Sequence, residues 1–166
     1  MDTKNVIDPR IAKLNMLRLM AGRAFLNGPK RYKVEELEGP LLDLAVANAE
    51  GIKATIYLVP NAISPFYECA VLDETGRLHY QFLPSRSWTQ GGPIIQRENI
   101  GISPPTSRVH RNGGNSPGWG PSGYWSATTW HAGANGRRSI ALHETEPLLA
   151  AMRCYVHSKF GEEVEL

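Results

Sequence analysis

The spacing of apolar side chains divides the chain into helical blocks near its ends and strand-like blocks between them. Asp8 and Pro9 open, and Gly28-Pro29 close, a segment whose Ile11, Leu14, Leu17, Ala21 and Phe25 share one face, which predicts a helix over 11–26. Met16, Leu19, Met20 and Leu26 lie nearer its opposite face, so this helix is expected to be covered on two sides, by a second chain in one reading. Tyr32 to Val34 reads as a short strand. Pro40 to Glu50 reads as a helix with Leu41, Leu44, Ala45 and Asn48 at helical spacing, and Gly51 at its C-terminal cap. Two β-rich runs, Ala54 to Val59 and Phe66 to Leu72, lead through the turn Asp73-Glu74-Thr75-Gly76 into Arg77 to Phe82. In that last strand Leu78, Tyr80 and Phe82 are expected to be buried, with Arg77, His79 and Gln81 wet.

Gly101 to Gly123, with four prolines and many Gly, Ser and Asn residues, reads as a long irregular loop. Tyr124 to Trp130 returns to strand composition, and HAGANGRR from His131 to Arg138 is a further loop. The terminal helix is predicted from Thr145 as cap and Pro147 in its first turn to Gly161 as its end. Its stripe of Leu148, Leu149, Met152, Tyr155, Val156 and Phe160 faces the core, and Ala150, Arg153, Cys154 and His157 form a second face. About three helices and a small antiparallel sheet make the class α+β.

WTQGGPIIQRE, Trp88 to Glu98, stands apart. Gly91 and Gly92 reach backbone angles closed to other residues and Pro93 disfavours a helical predecessor, so a sharp, fixed bend is expected. Trp88, Gln90, Arg97 and Glu98 flank it.

Length and composition suit one soluble domain with a sizeable core. No apolar run approaches a membrane span, and Arg10, Lys13, Arg18 and Arg23 break up the only segment resembling a secretory signal, so a cytoplasmic protein is expected. Cys69 and Cys154 suit a reducing compartment; a disulfide between them stays open, whereas a disulfide scaffold is excluded. Within a net charge of +2, residues 1–33 hold eight basic and two acidic side chains, about +6, leaving about −4 for the rest. Residues 1–32 are therefore a basic helical extension that docks on its own acidic body, on nucleic acid or on a partner protein.

Catalytic patterns are absent from the sequence: no nucleophile elbow, P-loop or dinucleotide fingerprint. Cys154 and His157 share a helix face but lack the further ligands zinc requires, and no metal, cofactor or catalytic residue is assigned. Glu35, Glu36 and Glu38 favour a helix start, and Glu98 beside Arg97 reads as a surface ion pair. Trp88, Trp119, Tyr124, Trp125 and Trp130 lie among Arg86, Arg97, Arg108, Arg111, Arg137 and Arg138, a composition that suits stacked bases and phosphates. Trp125 and Trp130 are expected in the core, Trp88 and Trp119 on an exposed platform.

At WTQGGPIIQRE and PLLAAMRCYVHSKFGEEVEL the chain resembles the NinX-like family of small proteins from tailed phages and prophages. Val34 to Gly51, VEELEGPLLDLAVANAEG, is similar to the family's opening, and Trp125 to its tryptophan upstream of the terminal helix. The resemblance implies a phage or prophage origin, an accessory role and a domain over 33–166; it brings no mechanism. The family pattern has Ala where this chain has His157, which weakens a metal or nucleophile at that face. The leading expectation is a non-enzymatic protein of the host cytoplasm that binds a small anionic, nucleotide-like ligand, in one use to counter host defence. Trp88, Gln90, Gly91, Gly92, Arg97, Glu98 and Arg153 are its candidate ligand-binding residues, with glycine N–H groups and arginines meeting phosphate. The alternatives are a module that engages a host or phage protein, with self-association through the N-terminal helix, and a nucleic-acid accessory factor using the basic arm.

Overall fold

The computed structural model describes residues 30–59, 66–104, 107–109, 118–120, 124–130, 138–143 and 145–166, with the backbone alone for 107–109, 118–120, 130 and 138–143. The predicted helix over 11–26 lies outside these residues.

Strand β1 (Arg31–Lys33) pairs antiparallel with β10 (Glu163–Glu165), joining the start of the described chain to its end. A 3-10 turn (Val34–Glu36) follows, then helix α1 (Gly39–Ala49). Pro40 sits in its first turn, where the missing N–H has no intrahelical acceptor, and Gly51 at φ +69° lets the chain leave in the left-handed region. Strands β2 (Ala54–Val59), β3 (Phe66–Leu72) and β4 (Leu78–Gln81) form one antiparallel sheet in that order. Their hairpin turn is fixed by Asp73, whose Oδ1 accepts hydrogen bonds from the N–H groups of Thr75 and Arg77 and from the Thr75 hydroxyl, with Gly76 at φ +81°. The turn hydrogen bonds hold the Asp73 carboxyl below its usual range.

A second sheet orders β5 (Gly101–Ser103), β8 (Trp125–Trp130) and β9 (Arg138–His143), all antiparallel, and β6 (Ser107–Val109) pairs with β7 (Gly118–Gly120). Helix α3 (Pro147–Phe160) packs on β8, β9 and β5 and also against α1, which in turn lies on β3 and β2. The α1–α3 pair thus joins the two sheets through one core of Leu37, Leu42, Val46, Ile56, Cys69, Phe82, Met152, Tyr155 and Val156. The class is α+β, as expected.

The structure differs from several of these expectations. Trp88–Arg97 is a continuous helix, α2, rather than a bend. Neither Gly91 nor Gly92 has a positive φ, and Gly92 has no Cβ to meet the Pro93 ring, so the steric cost of a helical residue before proline is relieved. Leu78 and Tyr80 on β4 are exposed and only Phe82, just beyond its end, is buried, because β4 is an edge strand while α1 covers β3 and β2. The described residues of the predicted loop over 101–123 include β5, β6 and β7, while 105–106, 110–117 and 121–123 lie outside those described, and β9 begins within HAGANGRR at Arg138. In α3 the cap position is Glu146 rather than Thr145, and both predicted faces are buried from Ala150 to Val156, since the helix has a sheet on one side and helices on the other. Phe160 stays exposed.

Candidate functional site

Most of the residues nominated from sequence gather around α2, and their partners divide them into two groups. At the C-terminal end of α2, Arg97 Nη2 donates to Glu50 Oε1, and Nε donates to Glu98 Oε1 at 3.1 Å. Lys159 Nζ donates to Glu98 Oε2 at 3.0 Å and stands 5.2 Å from the centre of the Tyr155 ring, whose hydroxyl donates to Glu50. Glu50 and Glu98 cap the C-termini of α1 and α2, where the helix dipole disfavours negative charge, so each needs the cations beside it. Hydrogen bonds to Glu50 and Glu98 push the Arg97 guanidinium above its ordinary value. Burial pushes the Glu98 carboxyl up, but hydrogen bonds from Lys159 and Arg97 outweigh it and leave it lowered. Burial and the Glu50 hydrogen bond raise the Tyr155 hydroxyl. Two acids and two bases form a closed, balanced clasp across three helix ends.

Arg153 lies apart from this clasp. It is buried on α3, with Nε donating to the Leu37 carbonyl at 2.8 Å and Nη2 to Glu38 Oε1 at 3.3 Å, so it holds the entry of α1. Burial lowers its pKa, against the opposing pull of Glu38.

The N-terminal end of α2 differs. The segment 83–87 that leads into it is held by several groups. The N–H groups of Arg86 and Ser87 return to the Leu83 carbonyl at 3.0 and 2.8 Å. Gln90 accepts from the Leu83 N–H and donates to the Gln81 carbonyl at 2.9 Å. Gly91 is pressed so close to Pro84 that an added Cβ would overlap its carbonyl oxygen and come within 2.8 Å of Leu148 Cδ2. The glycine is therefore required by close packing, while a Cβ on Gly92 would meet nothing within 4 Å beyond its own chain neighbours. Trp88, in the first turn, is 56% exposed, and the N-cap Ser87 makes no side-chain cap hydrogen bond.

Asp43 of α1 reaches the same segment from below. Its side chain is fully buried, Oδ1 accepts from the Ser85 N–H at 2.9 Å, and Oδ2 lies 3.6 Å from Arg86 Nη2. Arg86 Nη1 is in turn 3.8 Å from Glu68 Oε1, and Gln81 Nε2 donates to Glu68 Oε2 and to the Tyr57 hydroxyl. Both ion-pair distances exceed hydrogen-bonding range. Among the described residues, Asp43 Oδ2, Ser85 Oγ, Arg86 Nε and Arg86 Nη2 are buried without a hydrogen-bond partner. Buried polar atoms are almost always paired, so four orphans in one cluster set this end of α2 apart from the fully partnered clasp at the other. Burial pushes the Asp43 carboxyl up to about 6, with the Ser85 N–H and Arg86 offsetting only part of that cost. Burial, aided by the Asp43 charge, also raises the adjacent Cys69 thiol.

Asp43, Ser85 and Glu68 were not singled out from sequence. A lone acid within PLLDLAVANA was the available signal, since a charge amid an apolar helix must either be partnered or cost stability. Trp125 packs partly buried against the core, as expected, whereas the side chains of Trp119, Trp130, Arg108, Arg111, Arg137 and Arg138 lie outside those described. A surface hollow of about 510 Å³ is lined by Asn48, Gly51, Ile52, Lys53, Ala54 and Leu72, and none of the residues nominated from sequence lines it. Cys69 and Cys154 are buried thiols rather than a disulfide, and no described helix is long and apolar enough to cross a membrane.

No curated protein matches the chain. The family model described as Bacteriophage P22, NinX matches residues 33–159.

Proposed function

Since the chain belongs to the phage NinX family and is thus a phage accessory protein, we propose that it is a non-enzymatic binder of a small anionic, nucleotide-like ligand at the N-terminal end of α2. The ligand's ring stacks on Trp88 and its phosphate meets the first-turn N–H groups and Arg86. The observation that carries this function is an uncapped helix N-terminus beginning with an exposed tryptophan and preceded by an arginine with unused donors. Such a terminus offers N–H groups and partial positive charge to an anion, and the indole face accepts any base. Within the residues nominated from sequence, Trp88 contacts the ligand and Gln90 and Gly91 hold the segment that presents it. Arg97, Glu98 and Arg153 serve the packing of the helices. Sequestering a host signal nucleotide is one use of such a site in counter-defence.

A thermal-shift screen against nucleotides, cyclic oligonucleotides and short single strands tests the proposal, because a ligand that prefers the folded state raises the melting temperature. The expected result is a rise for one ligand class in the wild type and none in Trp88→Ala. An equal rise in both proteins contradicts the site.

A second function, engagement of a host or phage protein, is favoured by β4, an edge strand that carries exposed Leu78 and Tyr80. No ligand response at saturating concentrations, together with a partner recovered by wild type and lost by Tyr80→Lys, would favour it. The nucleic-acid alternative depends on the basic arm, of which residues 1–29 lie outside the described residues.

A further inference from the structure

We infer that Asp43 is a positioning residue whose proton decides whether Arg86 is held inward or released to an anion at the α2 N-terminus. The inference rests on the ligand site proposed above for its use, but not for its physics.

Arg86 is shared between two carboxylates and hydrogen-bonded to neither, at 3.6 Å from Asp43 and 3.8 Å from Glu68. Its Nε and Nη2, the edge of the guanidinium that grips a carboxylate or phosphate side-on, are the atoms without partners. The charged or titratable groups facing Asp43 are Arg86 on the 83–87 segment and Cys69 on β3, with Glu68 beyond Arg86. When Asp43 is ionised, its charge attracts Arg86 inward. When it takes up a proton, that attraction disappears while Oδ1 can still accept the Ser85 N–H, so the segment keeps its place and the Nε–Nη2 edge of the guanidinium is freed, with Nη1 still facing Glu68. Only Arg86 changes its commitments. The change falls near pH 6, where burial has placed the Asp43 carboxyl.

The Asp43–Arg86 coupling is testable without any ligand. In proton–nitrogen NMR spectra the Arg86 Nε–H signal, assigned by its loss in Arg86→Lys, should shift in the wild type with a midpoint near pH 6. The inflection should persist in Glu68→Gln and vanish in Asp43→Asn, which keeps an oxygen for the Ser85 N–H. A flat signal in the wild type, or the same inflection in Asp43→Asn, overturns the inference. Sulfate, which does not titrate in this range, supplies the second arm. Its affinity for the wild type should rise roughly tenfold on acidification through the midpoint, one pKa unit of coupling, and stay level in Asp43→Asn. An intact Arg86 titration with no sulfate or nucleotide binding would refute the ligand site alone and leave the coupling standing.

Discussion

Helix α2 ends in two polar clusters built from the same side-chain types, with opposite outcomes. At its C-terminus, Arg97, Glu50, Glu98 and Lys159 balance two charges against two, sit partly in solvent and form hydrogen bonds throughout. At its N-terminus, Arg86 faces Asp43 and Glu68, one base between two acids, deeper in the protein and with orphaned atoms. A balanced and partnered cluster at the surface fastens helices together at little cost. An unbalanced one in the interior, with atoms left unpaired, costs stability.

The largest effect should come from the glycine that holds the N-terminal cluster together. Gly91→Ala drives a Cβ into the Pro84 carbonyl and against Leu148, and should remove about 3 kcal/mol or more of stability in urea denaturation. Asp43→Asn should follow, in the opposite sense. Folded, Asp43 holds its proton up to about pH 6, and unfolded only to near 3.8. Between those values the folded state binds the extra proton, so this group's contribution to stability falls as pH rises through the window and stays lost above it. Asp43→Asn should therefore be more stable than wild type above that window, by up to about 3 kcal/mol. The difference should close as pH falls, in paired denaturation curves. A destabilised Asp43→Asn at neutral pH would place Asp43 with the structural cluster instead.

Arg97→Ala, by contrast, should cost about 1 kcal/mol or less, because the side chain is half-exposed and solvent screens the pair. Added salt should shrink the loss further, as measured by melting in low and high salt. Smallest of all, Gly92→Ala should change stability by about 0.5 kcal/mol or less, because the helix propensity gained by Ala is offset by the contact of its Cβ with the following Pro93 ring.

The difference between the two clusters also explains how far the sequence could be read. The α1 helix with its Gly51 end, the strands β2 and β3 with the same bounds and the α3 helix are written in local signals: apolar spacing, caps and turn residues. The Trp88–Glu98 stretch misled because glycine and proline are strong local signals for a bend, whereas here Gly91 answers to Pro84 and Leu148, contacts that only the fold creates. Arg97 and Arg153 stood out by residue type, yet their roles were fixed by Glu50, 47 residues away, and by Leu37, 116 residues away. Asp43 and Ser85, 42 residues apart, carried no motif. A polar side chain's use depends on whether the fold gives it a partner, and local pattern does not encode that.

The most direct test sets the two ends of α2 against each other in one ligand-binding measurement. The thermal shift produced by the best nucleotide-class ligand should be abolished in Trp88→Ala and retained in Arg97→Ala. A shift lost in Arg97→Ala but kept in Trp88→Ala would contradict the account and move the site to the C-terminal cluster.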